Sequence, residues 1–445
     1  MAAGTGGFAI NGEAAGDNSG TSVGAAGDLN GDGLADVIVG SPGADASGVA
    51  DAGKAYVVFG KADGTPVSLS EVASGSGGFA IIGEKAGNRT GVSVSGGGDI
   101  NGDGIGDLIV GARGADPNGT NSGRTYVVFG KTDSQAVDLS DVAAGAGGFV
   151  IDGESPQDYS GRPVRMAGDI NGDGLDDLLL GVGQDDPVGI NSGRSYVVFG
   201  KADGAALNLS DVASGIGGFA INGESPDDRA GNGLKAAGDV NGDGFADLTV
   251  GANQAEGNGT DSGKAYVVFG GDFTGAVTGS GGAGDDTLTG TADSDALVGG
   301  AGNDTLTGSG GPDVLYGGAG DDILAVSDHD FRRISGGAGT DTLRLDGSGL
   351  SLDLTAISDL RIAGIERIDL TGSASNSLTL GLSDVFALSA PGNQLLVEGV
   401  AGNQVSFAGQ GWTAAGTATL DGNTYSQYTL GGAAVLVDTD ITATL

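Results

Sequence analysis

Four acidic loops gather oxygen donors at one fixed spacing. The first is Asp28-Leu-Asn30-Gly-Asp32-Gly-Leu34-Ala-Asp36. The others place Asp99, Asn101, Asp103, Ile105 and Asp107, then Asp169, Asn171, Asp173, Leu175 and Asp177, then Asp239, Asn241, Asp243, Phe245 and Asp247 at the same positions. All read D-x-N-G-D-G-x-x-D. Side-chain oxygens at positions 1, 3, 5 and 9, with the main-chain carbonyl at 7, suit a hard cation that takes roughly six to eight oxygens. Three carboxylates in so short a loop repel one another unless a cation neutralises them. Calcium fits better than magnesium, which avoids crowded, flexible cages built wholly of protein. A metal-free Asn-Gly or Asp-Gly turn is the bland alternative, and fourfold repetition of every oxygen position argues against it. An EF-hand fails at the twelfth position, where Val39, Val110, Leu180 and Val250 stand in place of an acid.

A second pattern starts at Gly281 with a period of nine: Gly281-Gly-Ala-Gly-Asp-Asp286-Thr-Leu288-Thr fits G-G-x-G-x-D-x-U-x throughout. The turns at Gly299 and Gly317 repeat it with Asp304 and Asp322. The turns between them lose glycines but keep Asp295 with Leu297 and Asp313 with Leu315. A further match begins at Gly336, one residue out of phase, and carries Asp341. A flexible glycine linker would not hold an aspartate and an aliphatic residue in phase.

The elements that must position the loops recur with a period of 70 or 71. A Tyr-Val-Val-Phe-Gly run ends at Gly60, Gly130, Gly200 and Gly270, a Gly-Gly-Phe segment carries Phe8, Phe79, Phe149 and Phe219, and each acidic loop leads into an apolar run such as Val37-Ile38-Val39. β-Branched and aromatic residues bounded by Gly, Asn, Asp and Pro predict strands, with single helical turns such as Ser70-Glu71-Val72-Ala73. The expected architecture is all-β: four units over 1–271, a nonapeptide region over 272–345 and a β-rich remainder over 346–445.

The Gly-Asp-x-Asn-Gly-Asp-Gly loops, the Gly40-Ser41-Pro42 and Gly111-Ala112 steps and the Tyr-Val-Val-Phe-Gly strands together resemble the FG-GAP repeats of integrin α-subunit β-propellers and their bacterial relatives. That resemblance implies β-propeller-like blades with calcium in the four loops. Strand counts balance if the N-terminal Gly-Gly-Phe-Ala-Ile strand completes the fourth unit and closes the ring; two four-unit arcs joining in a larger ring are the alternative. The nonapeptides resemble the RTX calcium-binding parallel β-roll. In such a roll Asp286, Asp304 and Asp322 share one edge, Asp295 and Asp313 the other, and a β-rich continuation beyond Asp346 caps the solenoid.

Composition narrows the function. Lys and Arg number 19 against 58 Asp and Glu, and the net charge of −39 disfavours nucleic acid and anionic membranes as partners. There is no cysteine, hence no disulfide or thiolate site. No 18-residue apolar stretch suggests a membrane span. Met1 to Glu13 lacks a secretory leader pattern, while the lysine-free, acidic, hydroxyl-rich stretch ending at Leu445 is similar to the uncleaved C-terminal signal of RTX proteins, which implies a type I exporter and a bacterial extracellular or cell-surface location. A single histidine, His329, excludes H-E-x-x-H. Gly20-Thr-Ser22-Val-Gly24 matches a nucleophile elbow but lies in repeat sequence. The reading is a calcium-stabilised surface or matrix protein (adhesin, surface-layer or biofilm component) meeting a glycan, a protein or its own copies. A secreted hydrolase with a carboxylate site on the propeller is the alternative.

Overall fold

The computed structural model describes residues 6–373, 375–389, 392–409, 411–420 and 422–445. It divides into two compact units. The first holds 1–168, 175–238 and 247–268; the second holds 169–174, 239–246 and 269–445.

In the first unit each repeat folds as an antiparallel sheet. Sheet one runs Ser22–Gly27, Asp36–Ser41, Lys54–Val58, Gly78–Ile82, with Val39 opposite Tyr56 and Tyr56 opposite Ala80. Sheets two and three repeat this order from Ser93–Gly98 to Gly148–Asp152 and from Val164–Gly168 to Gly218–Asn222. The fourth has three strands, Ala230–Gly238, Asp247–Ala252 and Lys264–Val268. Alternation sends one set of side chains to each face, and the fully buried Tyr56, Tyr126, Tyr196, Phe79 and Phe149 fill the space between sheets. Short helices Leu69–Ala73, Leu139–Ala143 and Leu209–Ala213 each bury a Leu and a Val.

The tyrosines do more than pack. Tyr126 Oη donates to Glu84 Oε2 at 2.8 Å, and Arg124 Nη1 reaches the same oxygen at 3.0 Å. Tyr196, Arg194 and Glu154 repeat the arrangement at 2.8 and 2.7 Å, as do Tyr56, Lys54 and Glu13. Glutamates that follow the first three Gly-Phe strands thus satisfy the buried hydroxyl of the next unit's core, which ties consecutive repeats.

Among the described residues the N-terminal strand does not pair with the fourth sheet, so the ring closure expected above is not shown. Ile10–Asn11 pairs in parallel with Val67–Ser68, as Ile81 pairs with Val137 and Ile151 with Leu207. Phe8 lies under Lys61, as Phe79 lies under Lys131 and Phe149 under Lys201. The segment therefore stands ahead of sheet one, held by the contacts each Gly-Phe strand makes with the unit after it. Among the described residues Lys264–Val268 pairs only with Asp247–Ala252. Val23 on the first sheet is 69% exposed, whereas its repeat equivalents Val94 and Val164 are 2% and 0% exposed.

The second unit is a parallel solenoid. One face stacks Gly279–Ser280, Ala296–Ala301, Val314–Ala319, Arg333–Ala338 and Ile362–Ala363; the other begins with Thr287–Thr289, Thr305–Thr307, Ile323–Val326 and Thr342–Leu345. Register advances by 18 residues, Leu288 on Leu306 on Leu324, two nonapeptides per turn. A third face appears with Ser351–Asp353, Ser377–Thr379, Gln404–Ser406 and Thr442–Thr444. One apolar core runs from Leu297 to Ile441, so 345/346 is no break in packing. The β-rich remainder prolongs the solenoid: Ala433–Asp438 lies inside its sheet, with Val435 and Val437 fully buried. Within this unit Tyr316 Oη donates to Asp169 Oδ2 at 2.6 Å.

Candidate calcium centres

In each acidic loop the position-1 aspartate acts as a hub. Asp28 accepts from the amides of Gly31, Asp32 and Gly33 at 2.9, 3.1 and 2.7 Å. Asp99 and Asp239 accept from the equivalent three amides, and Asp169 from those of Gly172 and Gly174. The position-3 asparagine sends its amide nitrogen to the position-5 carboxylate, Asn30 to Asp32 at 3.0 Å and Asn101 to Asp103 at 2.9 Å; Asn171–Asp173 and Asn241–Asp243 match them. Glycine at position 6 has φ near +85°, a turn that side chains resist. Positions 1, 3 and 5 therefore bring their oxygens to one side of a single turn.

Position 9 behaves differently. Asp36 and Asp107 are 1% and 0% exposed and give their two oxygens to backbone amides: Asp36 to Leu29 and Gly60 at 2.9 and 2.8 Å, Asp107 to Ile100 and Gly130 at 2.6 and 2.7 Å. Asp177 accepts from Gly200, and Asp247 is equally buried. These carboxylates bolt the loop to the Gly that ends the Tyr strand. Burial pushes Asp107 up to about 8 and raises Asp36, in each case against the amides that favour the charged form. Burial first, then the charges of Asp103 and Asp176, raises Asp99. Among the described residues no three Asp, Glu, His or Cys side chains converge as a metal cage. The oxygen donors in each loop are the carboxylates at positions 1, 5 and 9, the amide oxygen at 3 and the carbonyl of Leu34, Ile105, Leu175 or Phe245. That all-oxygen set fits a hard cation.

The solenoid offers a sharper fit. Its aspartates form two rows, as expected: Asp286 N donates to Asp304 Oδ1, Asp304 N to Asp322 Oδ1 and Asp322 N to Asp341 Oδ1, at 2.7, 2.7 and 2.8 Å. Asp295 N donates to Asp313 Oδ1 at 2.9 Å in the second row. Asp341 joins the first row despite its offset, since one added residue shifts the register to 19. The second oxygens of Asp304, Asp322 and Asp341 are buried with no hydrogen-bond partner. Each row glycine makes room: a Cβ at Gly317 would sit 2.3 Å from Asp322 Oδ2. Burial, followed by neighbouring aspartates, pushes Asp313 and Asp322 up to about 6 and Asp341 up to about 7. Orphaned, buried, mutually repelling carboxylate oxygens are what a bound cation relieves. Glu366, whose Oε2 accepts from Asp341 N at 2.9 Å, ends the row. The nine-residue period could not reveal it, because the turn before it is longer.

The fold and these centres define a calcium-binding repeat protein of extracellular type. Comparison agrees: the model for the FG-GAP repeat matches residues 19–58, 90–128 and 236–268, and that for the RTX calcium-binding nonapeptide repeat matches 278–306 and 298–327. The chain thus carries FG-GAP repeats followed by RTX repeats. Similar proteins include phosphatidylinositol-glycan-specific phospholipase D of Bos taurus, 33% identical over 39% of this chain and 20% of that protein. Integrin alpha pat-2 of Caenorhabditis elegans is 29% identical over 39% of this chain and 13% of that protein. The chain spans a fifth or less of the length of these curated relatives. No helix among the described residues is long and apolar enough to cross a membrane.

Proposed function

We propose that the chain is a calcium-stiffened scaffold at a bacterial surface or in its matrix, exported by a type I system, which holds propeller loops out to a partner. The observation that carries this reading is the line of unpartnered buried oxygens on Asp304, Asp322 and Asp341. Such a row is unfavourable without a cation and rigid with one, and extracellular calcium modules work at ~10⁻⁴–10⁻³ M. In the solenoid Asp286, Asp304, Asp322 and Asp341 bind in one row and Asp295 and Asp313 in the other. In the first unit the ligands are positions 1, 3, 5 and 9 and the carbonyl at 7, and position 9 also ties the loop to the end of the Tyr strand. The role is adhesive or structural rather than catalytic: the likeness to a phospholipase D covers a fifth of that protein, and the carboxylates that a hydrolase would need are engaged in these loops and rows.

Calorimetric calcium titration of the whole chain beside Asp103→Ala and Asp304→Ala is the test. Each change should delete sites in its own unit and leave the other unit's melting transition in place. Loss of both transitions from either change would overturn independent binding, and absence of calcium-linked heat would overturn the scaffold reading.

A further inference from the structure

The first unit contains a cavity of about 1190 Å³ whose walls carry Arg89, Arg113, Arg162 and Arg165. That is a concentration of positive charge in a chain with 19 basic residues and a net charge of −39. The unit's other arginines with strand positions are neutralised: Arg124 pairs with Glu84 and Asp152, Arg194 with Glu154 and Asp185. Among the described residues the guanidinium groups of Arg89, Arg113 and Arg162 have no ion pair. They are close enough to repel: after burial, the charges of Arg162 and Arg89 are what lower Arg113 from its ordinary value.

Two of these arginines, Arg113 and Arg162, are departures from the repeat. Arg113 stands where the other units have Pro42, Gly183 and Asn253; Arg162 stands where they have Thr21, Val92 and Asn232. A residue the fold requires recurs in every unit, as the loop aspartates do, and Arg113 and Arg162 do not; Arg89 recurs once, as Arg229. Arg89 has φ of +54°, and Tyr159 at the equivalent place in the next unit has the same value. A bulky side chain in the left-handed region costs about 1 kcal/mol or more and persists where surrounding structure imposes it. Here the amides of Arg89 and Tyr159 are tied to the carbonyls of Asp51 and Asn121 at 3.1 and 3.0 Å, which fixes where both side chains start.

Between the cations the lining is polar. Asp51, Asn121, Asp158, Gln184 and Asn232 offer acceptors and amides, and Tyr159 offers a ring. The guanidinium fork matches carboxylate and sulfate oxygens. Amides and carboxylates bind hydroxyls, and a ring face stacks on a pyranose. The cavity exceeds the size of a free anion and lacks the apolar walls an acyl chain needs.

We propose that this cavity binds an anionic saccharide, its carboxylate or sulfate group held by Arg89, Arg113 and Arg162 and its hydroxyls by the polar lining. The proposal gives the scaffold's partner a chemical class. It rests on the scaffold reading only for its extracellular setting, because binding in solution is measured independently of export or calcium rigidity.

The experiment is calorimetry of the full chain in calcium with trigalacturonate, a sulfated heparin tetrasaccharide and neutral maltotriose. At least one acidic probe should bind and maltotriose at least tenfold more weakly; which acid wins separates carboxylate from sulfate recognition. Arg113→Gln and Arg89→Gln should each weaken binding about tenfold, Lys201→Gln outside the cavity less than twofold, and rising salt should weaken the unaltered chain. Unchanged circular dichroism and calcium titrations guard against misfolding. Equal binding of maltotriose, no binding of either acidic probe at millimolar concentration, or affinity indifferent to both arginines would overturn the proposal. So would binding that survives the arginine changes and vanishes when calcium is stripped, because it would put the sugar on a calcium loop.

Discussion

Stripping calcium should make the solenoid prefer acid. In the metal-free protein Asp313, Asp322 and Asp341 have folded values of about 6, 6 and 7, above the ordinary aspartate value of 3.8. A raised carboxylate stabilises the fold while protonated. That contribution is complete below the unfolded value and is lost as pH climbs through the folded values, between about 4 and 7. A shift of two to three units corresponds to roughly 3–4 kcal/mol. Adjacent charges at a strand spacing of ~4.8 Å and an effective dielectric of ~20 repel by a similar ~3 kcal/mol. Solvent at the edge of the roll screens this to roughly 1–2 kcal/mol per group, or roughly 3–6 kcal/mol for the three. That rivals the stability of a whole domain, ~5–15 kcal/mol. The assay is calorimetry and circular dichroism of calcium-free protein at pH 5.5 and pH 8, then at pH 8 with calcium restored. The solenoid transition should be lowered or absent at pH 8, present at pH 5.5, and recovered with calcium. Calcium-free protein as stable at pH 8 as at pH 5.5 would refute the electrostatic reading of the row.

Other consequences are local. Gly317→Ala puts a methyl 2.3 Å from Asp322 Oδ2 and 2.4 Å from Gly336 O; it should cost about 1–3 kcal/mol, seen as a lower solenoid melting temperature with the first unit's transition unmoved. Glu84→Gln removes the charge shared by Tyr126 and Arg124 and should destabilise the first unit by about 1–3 kcal/mol in urea melts. Deleting 433–445 removes the strands Ala433–Asp438 and Thr442–Thr444 and should unfold the second unit by circular dichroism. A C-terminal export signal is therefore better tested by substitutions at exposed residues such as Asp440 and Thr442, scored by appearance in the medium.

What the sequence disclosed was whatever repeats. Loop oxygens, nonapeptide aspartates and the Tyr strands announce themselves by period, and the two aspartate rows follow from an 18-residue rise that the spacing already implied. What stayed hidden depends on partners far apart in the chain or unequal among units. Position 9 reads as a ligand by type, and that its oxygens also meet Gly60 and Gly130, strand-end amides, is something no local pattern announces. Phe8 and Glu13 meet Lys61, Lys54 and Tyr56 of the unit that follows them, contacts between units that composition and period do not announce. The arginine cavity escapes a search for consensus because Arg113 and Arg162 stand where consensus fails.

The hydrogen bonds along the first aspartate row have a direction. Each rung's amide leans on the carboxylate of the rung that follows it in the chain, Asp286 on Asp304, Asp304 on Asp322, Asp322 on Asp341, and Asp341 on Glu366. Bonds between the same rungs also run the other way: Thr305 N donates to Asp286 O at 2.9 Å, and Ile323 N and Thr342 N donate to Asp304 O and Asp322 O at 2.8 Å. Each rung is therefore held from both sides, and losing one leaves an unmet amide above it and another below, so the stack stands or fails by its nearest neighbours.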